Sequence, residues 1–212
     1  DSTPKVSDVW FYSSLSDTTI TADEWRTVLV CGLRKGGKHY FALDVTDTSN
    51  PQYLWEFPHP GDPSISNYTD FLNNSLGQSW SEPAIGRVKY EHDPGTGTDL
   101  YERWVAFIGG GFDSNESKAV KAATGRAFFV VDIKTGDIIW EYSSDPSVNY
   151  PVDDQRRYMT YSFVAPATAV DTDSDGFVDK VYIGDLGGQM WAFNLSFDAI
   201  NKKSNSLWSA TR

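Results

Sequence analysis

RWVAFIGGGFDSNESKAVKAATGRAFFVVDIKTGDIIWEY, Arg103 to Tyr142, holds three apolar runs separated by two different kinds of break. Val, Ile, Phe and Trp suit a pleated, half-buried surface. Gly109, Gly110 and Gly111 disfavour a strand interior, so they end the first run. Lys134-Thr135-Gly136-Asp137 is a tight-turn sequence between the second run and the third. The second run closes on Asp132 and the third carries Trp140. The reading is three antiparallel strands joined by hairpins.

The same plan recurs on either side. Arg26 to Phe57 runs through Asp44 to Trp55, and Lys180 to Ala210 runs through Asn194 to Trp208. A fourth strand is expected ahead of each unit, at Asp8–Leu15, Ser81–Val88 and Val164–Val170, the last two with a proline near the start, where a missing N–H is tolerated. Repeated four-stranded antiparallel units predict an all-β chain, a β-propeller whose blades carry long insertions. Recurrence of a Trp at one place in each unit favours this over a β-sandwich with Trp in its core. The units span about 8–57, 79–143 and 162–210, within one propeller domain over 1–212. The insertions are Pro58–Gln78, Glu91–Glu102, Phe112–Gly125, with a helical turn at Ser117–Ala123, and Ser143–Thr160. Propellers close with about 4–8 blades, so these three are expected to belong to a larger one, with apolar faces left for the remaining blades.

Aromatic residues make up 15% of the 212 residues and the formal net charge is −11, which describes a globular chain rather than a disordered one. With no basic cluster longer than Arg34–Lys38 or Gln155–Arg157, it is a poor nucleic-acid binder and is better suited to cations. Cys31 stands alone, so no internal disulfide forms, and its apolar setting marks it as a filler on a buried strand. No apolar run approaches the ~20 residues of a membrane span. Asp1 opens the chain without Met or leader, as expected of a mature or trimmed segment.

In the hairpin between the first and second strands of the third unit lies DTDSDGFVD, Asp171 to Asp179. Asp171, Asp173 and Asp175 alternate, Gly176 follows, and Asp179 closes the run. This is the spacing of a calcium loop. Alternate side chains converge on one centre, Gly176 permits the sharp turn that brings the Phe177 carbonyl inward, and Asp179 completes the set. Calcium takes 6–8 oxygens, and without a cation such carboxylates repel one another. Magnesium suits the loop less well, since it keeps fewer protein ligands in a strict octahedron. Tyr182 stands where an EF-hand has its closing Glu, and strands rather than helices flank the loop. Asp185, in GDLGG, reads as a hairpin-turn residue or as a group standing behind the ligands. His39, His59 and His92 occur singly, and there is no G-x-S-x-G, C-x-x-C or phosphate loop, so no catalytic set is legible.

The segment DTDSDGFVDKVYIGDLGGQMWAFNL resembles the calcium loop of the PilY family, the type IV pilus biogenesis and tip-associated proteins. HYFALDVTDTSNPQYLWEF, LGQSWSEPAIGRV and ATGRAFFVVDIKTGDIIW resemble further elements of that family in the same order, over about Arg26 to Leu195. Asn194 departs from the family's Asp. The resemblance implies a non-enzymatic segment of a secreted or surface protein at the pilus tip or outer membrane. Its calcium would be held by Asp171, Asp173, Asp175, the Phe177 carbonyl and Asp179, and would regulate pilus extension against retraction and surface attachment. Implied partners are minor pilins and other pilus proteins, an adhesion target and the remaining blades. Two other readings share parts of the pattern. A quinoprotein dehydrogenase shares the T-G-x-x-x-W element but needs a quinone site, and an integrin-like calcium propeller usually repeats its loop, whereas the second unit has HDPGTGTD there.

Overall fold

The computed structural model describes residues 2–11, 19–91, 100–116, 124–195 and 208–212. Among these, twelve strands form three antiparallel four-stranded sheets, each in simple sequential order. The first contains β1 (Lys5–Trp10), β2 (Trp25–Gly32), β3 (Tyr40–Asp44) and β4 (Gln52–Phe57). The second contains β5 (Ala84–Glu91), β6 (Leu100–Gly109), β7 (Ala127–Asp132) and β8 (Ile138–Ser143). The third contains β9 (Thr168–Val170), β10 (Lys180–Gly184), β11 (Met190–Asn194) and β12 (Ser209–Thr211). This is the blade architecture expected of an all-β propeller segment.

The sheets stack face to face, and the period-two alternation of the middle sheet feeds two cores. Ala106, Ile108, Ala127, Phe129 and Val131 pack with Val28, Val30, Trp55 and Phe57 of the first sheet. Val105, Phe107, Phe128 and Val130 pack with Val181, Ile183, Trp191 and Phe193 of the third. Both faces of β7 are therefore covered, which is why every residue of AFFVVD is buried. Phe128 stacks on Phe193 with ring centroids 3.9 Å apart. Each such side chain contributes on the order of 1.5–3 kcal/mol by burial.

Strand positions differ from the sequence expectation by a few residues. β1 begins at Lys5, and residues 12–15 of its expected span lie outside the described residues. β5 starts at Ala84 rather than Ser81, and β9 is only Thr168–Val170. The helical turn expected at 117–123 also lies outside the described residues, as does His92. Pro58–Gln78 contains α1 (Tyr68–Asn74), which the pattern did not reveal. Asn67 caps it by accepting from the Asp70 N–H, and Phe71 anchors it against Phe129 at 5.7 Å. Cys31 is half-buried rather than buried, and burial pushes its thiol above the ordinary range.

The three tryptophans are not equivalent. Trp55 pairs with Ala42 and Trp140 with Val130, each just before a bulge in the ladder. The corresponding pair in the third sheet is Ala192 with Thr211, so Trp208 lies outside the repeat register. It is still buried between sheets, edge-on to Trp140 at 5.8 Å. A large aromatic thus fills this seam from outside the repeat register.

Candidate metal centre

The acidic loop connects β9 to β10 and is pinned at its end by backbone bonds. The Asp179 N–H donates to Val170 O at 3.0 Å, and the Asp179 carbonyl accepts from the Leu195 N–H at 2.7 Å. Inside it, carboxylates accept from the backbone. Asp171 takes the N–H groups of Ser174 and Gly176, Asp173 that of Asp175, and Asp175 that of Phe177. Asp179 takes the N–H and hydroxyl of Thr172. Two residues adopt the left-handed region, Ser174 at φ 65° and Gly176 at φ 87°. Gly176 thus performs the turn for which it was selected in the sequence.

Asp171, Asp173 and Asp179 each present an oxygen within 4.8 Å of the others. Oxygens around one calcium at about 2.3–2.6 Å lie at most about 4.6–5.2 Å apart, so this set fits a hard cation. Asp175 is not part of the cluster. Its Oδ2 is 2.6 Å from Lys89 Nζ on β5 of the neighbouring sheet. That hydrogen bond, opposed by partial burial, holds the Asp175 carboxyl below its ordinary range. Phe177 has its ring against the Arg87 guanidinium at 4.1 Å and the Lys89 ammonium at 4.5 Å. Arg87 Nε also donates to the Gly176 carbonyl at 3.2 Å, and the Val178 N–H to Arg87 O at 2.8 Å.

The loop is therefore clamped on the second sheet by a cationic pair that sequence reading missed. Arg87 and Lys89 alternate on one face of β5, which marked them as neighbours. Nothing local signalled that their partner lies 86 residues downstream. Asp185 is the expected hairpin residue. Its carboxylate accepts from the backbone of Gly187 and Gln189, from the Gln189 amide and from the Trp191 indole.

A second group joins His59, Asp62 and Asp137. His59 Nε2 lies 3.0 Å from Asp137 Oδ1. Asp62, 3% exposed, is filled by Ser64 on one oxygen and the Ile138 N–H on the other. These bonds staple the Pro58–Gln78 insertion to the start of β8. The single-histidine reading of His59 missed this, because Asp137 is 78 residues away in the chain.

Residues 12–209 match the family model described as the PilY1 beta-propeller domain. The chain is 32% identical over 187 residues to a type IV pilus biogenesis factor PilY1 homolog of Xylella fastidiosa, covering 87% of this chain and 11% of that protein. It is 29% identical over 202 residues to the type IV pilus biogenesis factor PilY1 of Pseudomonas aeruginosa, covering 95% and 13%. The crystal structure of the Pseudomonas aeruginosa PilY1 C-terminal domain superposes with a TM-score of 0.58 at 26% identity, over 97% of this chain and 33% of that one. The chain thus spans about an eighth or less of the two pilus biogenesis factors and a third of the solved domain, and its three stacked sheets, acidic loop and matched residues agree: it belongs to the PilY1 beta-propeller domain family.

Proposed function

We propose that this chain is a calcium-binding, non-catalytic part of the propeller of a type IV pilus biogenesis protein acting outside the cell. Ca2+ in the Asp171–Asp179 loop would bias pilus extension against retraction and surface attachment. The observation that carries the reading is the convergence of Asp171, Asp173 and Asp179 in a loop clamped on the adjacent sheet. Calcium, when bound, supplies the positive charge that offsets these carboxylates. Asp171 and Asp179 already hold the loop's backbone in a turn, so the remaining rearrangement falls on Asp175 and the Phe177 carbonyl. Moving Asp175 toward the cluster releases Lys89, so the grip of the loop on the second sheet depends on the cation.

The whole of 1–212 is read as one stretch of a single propeller domain. The outer face of the first sheet supports further blades. Leu29, Phe41 and Leu43 are half-covered there, and Val6 and Tyr53 are 56% and 64% exposed. Pilus proteins and an adhesion target are the proposed partners beyond those blades. Calorimetry with calcium chloride on the parent protein and on Asp171→Asn tests the site. Equal binding by both removes the assignment. Normal pilus extension and retraction in a deletion strain complemented with a non-binding variant would leave calcium a structural role only.

A further inference from the structure

Arg126 immediately precedes β7 and is 6% exposed. Among the described residues its guanidinium has no hydrogen-bond or ion-pair partner, and Nε is sealed from solvent. Five of the seven other arginines are paired differently. Arg26, Arg34, Arg87, Arg103 and Arg156 each reach a carboxylate. A guanidinium offers five donors and cannot escape the cost of burial by losing its proton. Nε, sealed and unpartnered, is the costly one of these donors, while the terminal nitrogens are not sealed and meet no protein acceptor among the described residues.

Arg126 lines a cavity of about 340 Å³ between the end of α1 and the segment after β8. Asn74, Ser75 and Ser144 line it too, and none of their side chains has a hydrogen-bond partner among the described residues. The nearest acids do not answer the guanidinium directly. Asp113 is bonded to Thr124 and Asn115, and Glu116 to Ser162. They act on Arg126 only through space, while burial draws its basicity down. Asp145 stands in the cavity wall with its carboxylate engaged by the N–H and hydroxyl of Ser147. Its charge disfavours a multiply charged guest. One fork of donors, three neutral polar groups and one nearby negative charge together select a singly charged planar oxyanion.

We propose that this cavity is a carboxylate-binding site, in which Arg126 forms the charged bond and Asn74, Ser75 and Ser144 supply neutral ones. The carboxylate comes either from a small free acid or from the end or side chain of another polypeptide. The site is independent of the calcium reading.

The test is thermal unfolding of the propeller in the full-length protein, at constant ionic strength, with acetate replacing chloride. Acetate about fivefold above its dissociation constant should raise the midpoint by roughly 1–2 °C, since the propeller of the full-length protein is larger than this chain. Arg126→Met should abolish the rise and, in chloride, unfold no lower than the parent. An equal acetate response in parent and Arg126→Met overturns the proposal. If Arg126→Met fails to fold, Asn74→Ala combined with Ser144→Ala must weaken the response, and an undiminished response overturns it. Phosphate acting as strongly as acetate overturns the choice of a carboxylate. A short peptide with a free C-terminal carboxylate, compared with its amide, separates the sources. A peptide acting at lower concentration than acetate supports a polypeptide guest, and a peptide matched by acetate supports a small acid.

Discussion

Lys89 Nζ lies 2.6 Å from Asp175 Oδ2 and thereby joins β5 of the second sheet to the acidic loop that precedes β10. One of the expected calcium ligands thus already has a cationic partner. A calcium ion that recruits Asp175 works against Lys89. Partly exposed ion pairs of this kind contribute about 0.2–1 kcal/mol. Lys89→Met is therefore expected to tighten calcium binding by about two- to fivefold. Calorimetric titration of parent and variant decides it. Unchanged affinity would mean that Asp175 stays outside the coordination shell.

Arg103 Nε and Asp132 Oδ2 are 3.3 Å apart and both are largely buried. Burial pushes the Asp132 carboxyl above its ordinary 3.8, and Arg103 with the Lys134 and Thr135 N–H groups partly offsets this. A raised acid binds its proton more tightly in the folded state. Its contribution to stability is thus full below the ordinary value and is lost as pH rises through the raised one. Arg103→Met removes the offset, so its cost should be small at pH 3 and grow to about 3–5 kcal/mol at neutral pH. Denaturant unfolding at several pH values measures this. A cost independent of pH would show that Asp132 does not depend on Arg103 for its charge.

The repeat in the sequence exposed the sheets because period-two alternation and glycine breaks are local signals. The third sheet shows where local reading stops. Trp208 looked like the counterpart of Trp55 and Trp140, but register is set by pairing, and Thr211 occupies that position. Likewise, Asn194 in place of Asp makes sense only from the ladder. Asp44 and Asp132 pair with Arg26 and Arg103, each two residues before its strand partner, and the matching residue in the third sheet is Val178. Val178 lies over Gly86 of the second sheet, where a Cβ would meet its methyl at 2.5 Å. The convergence of Asp171, Asp173 and Asp179 was legible from spacing, but the turn of Asp175 toward Lys89 was not. Lys89 and Arg126 were not, since one acts across sheets and the other is defined by what it lacks.

Gly136, at φ 82° in the β7–β8 turn, packs on Trp55 of the first sheet so closely that a Cβ would lie 2.8 Å from the indole. The Trp55 indole N–H donates to Ile133 O at 2.7 Å, fixing the ring against that turn. Gly136→Ala meets both backbone strain and overlap. It should cost about 1–3 kcal/mol in unfolding free energy. A cost below about 0.5 kcal/mol in denaturant titration would mean that the first two sheets are not locked through this contact.

Asp179 has two separable duties, and two substitutions divide them. Its carboxylate is one of the three that converge. It also accepts from the Thr172 N–H at 2.7 Å and from the Thr172 hydroxyl, which closes the loop on itself. Asp179→Asn keeps an acceptor oxygen for Thr172 and removes the charge. Asp179→Ala removes both. Calcium affinity should fall by at least about tenfold in each, since a lost charge-assisted contact is worth roughly 1.5–3 kcal/mol. Only the Ala variant should also lose stability without calcium, by about 1–3 kcal/mol, the net value of two ordinary hydrogen bonds. Calorimetry gives the first quantity and calcium-free denaturant unfolding the second. If Asn binds calcium as tightly as the parent, Asp179 acts only as a loop clasp, and the cation is held by Asp171 and Asp173 with other oxygens. If Asn and Ala lose the same stability without calcium, the Thr172 bonds contribute nothing, and the loop is shaped by its ends on Val170 and Leu195 instead.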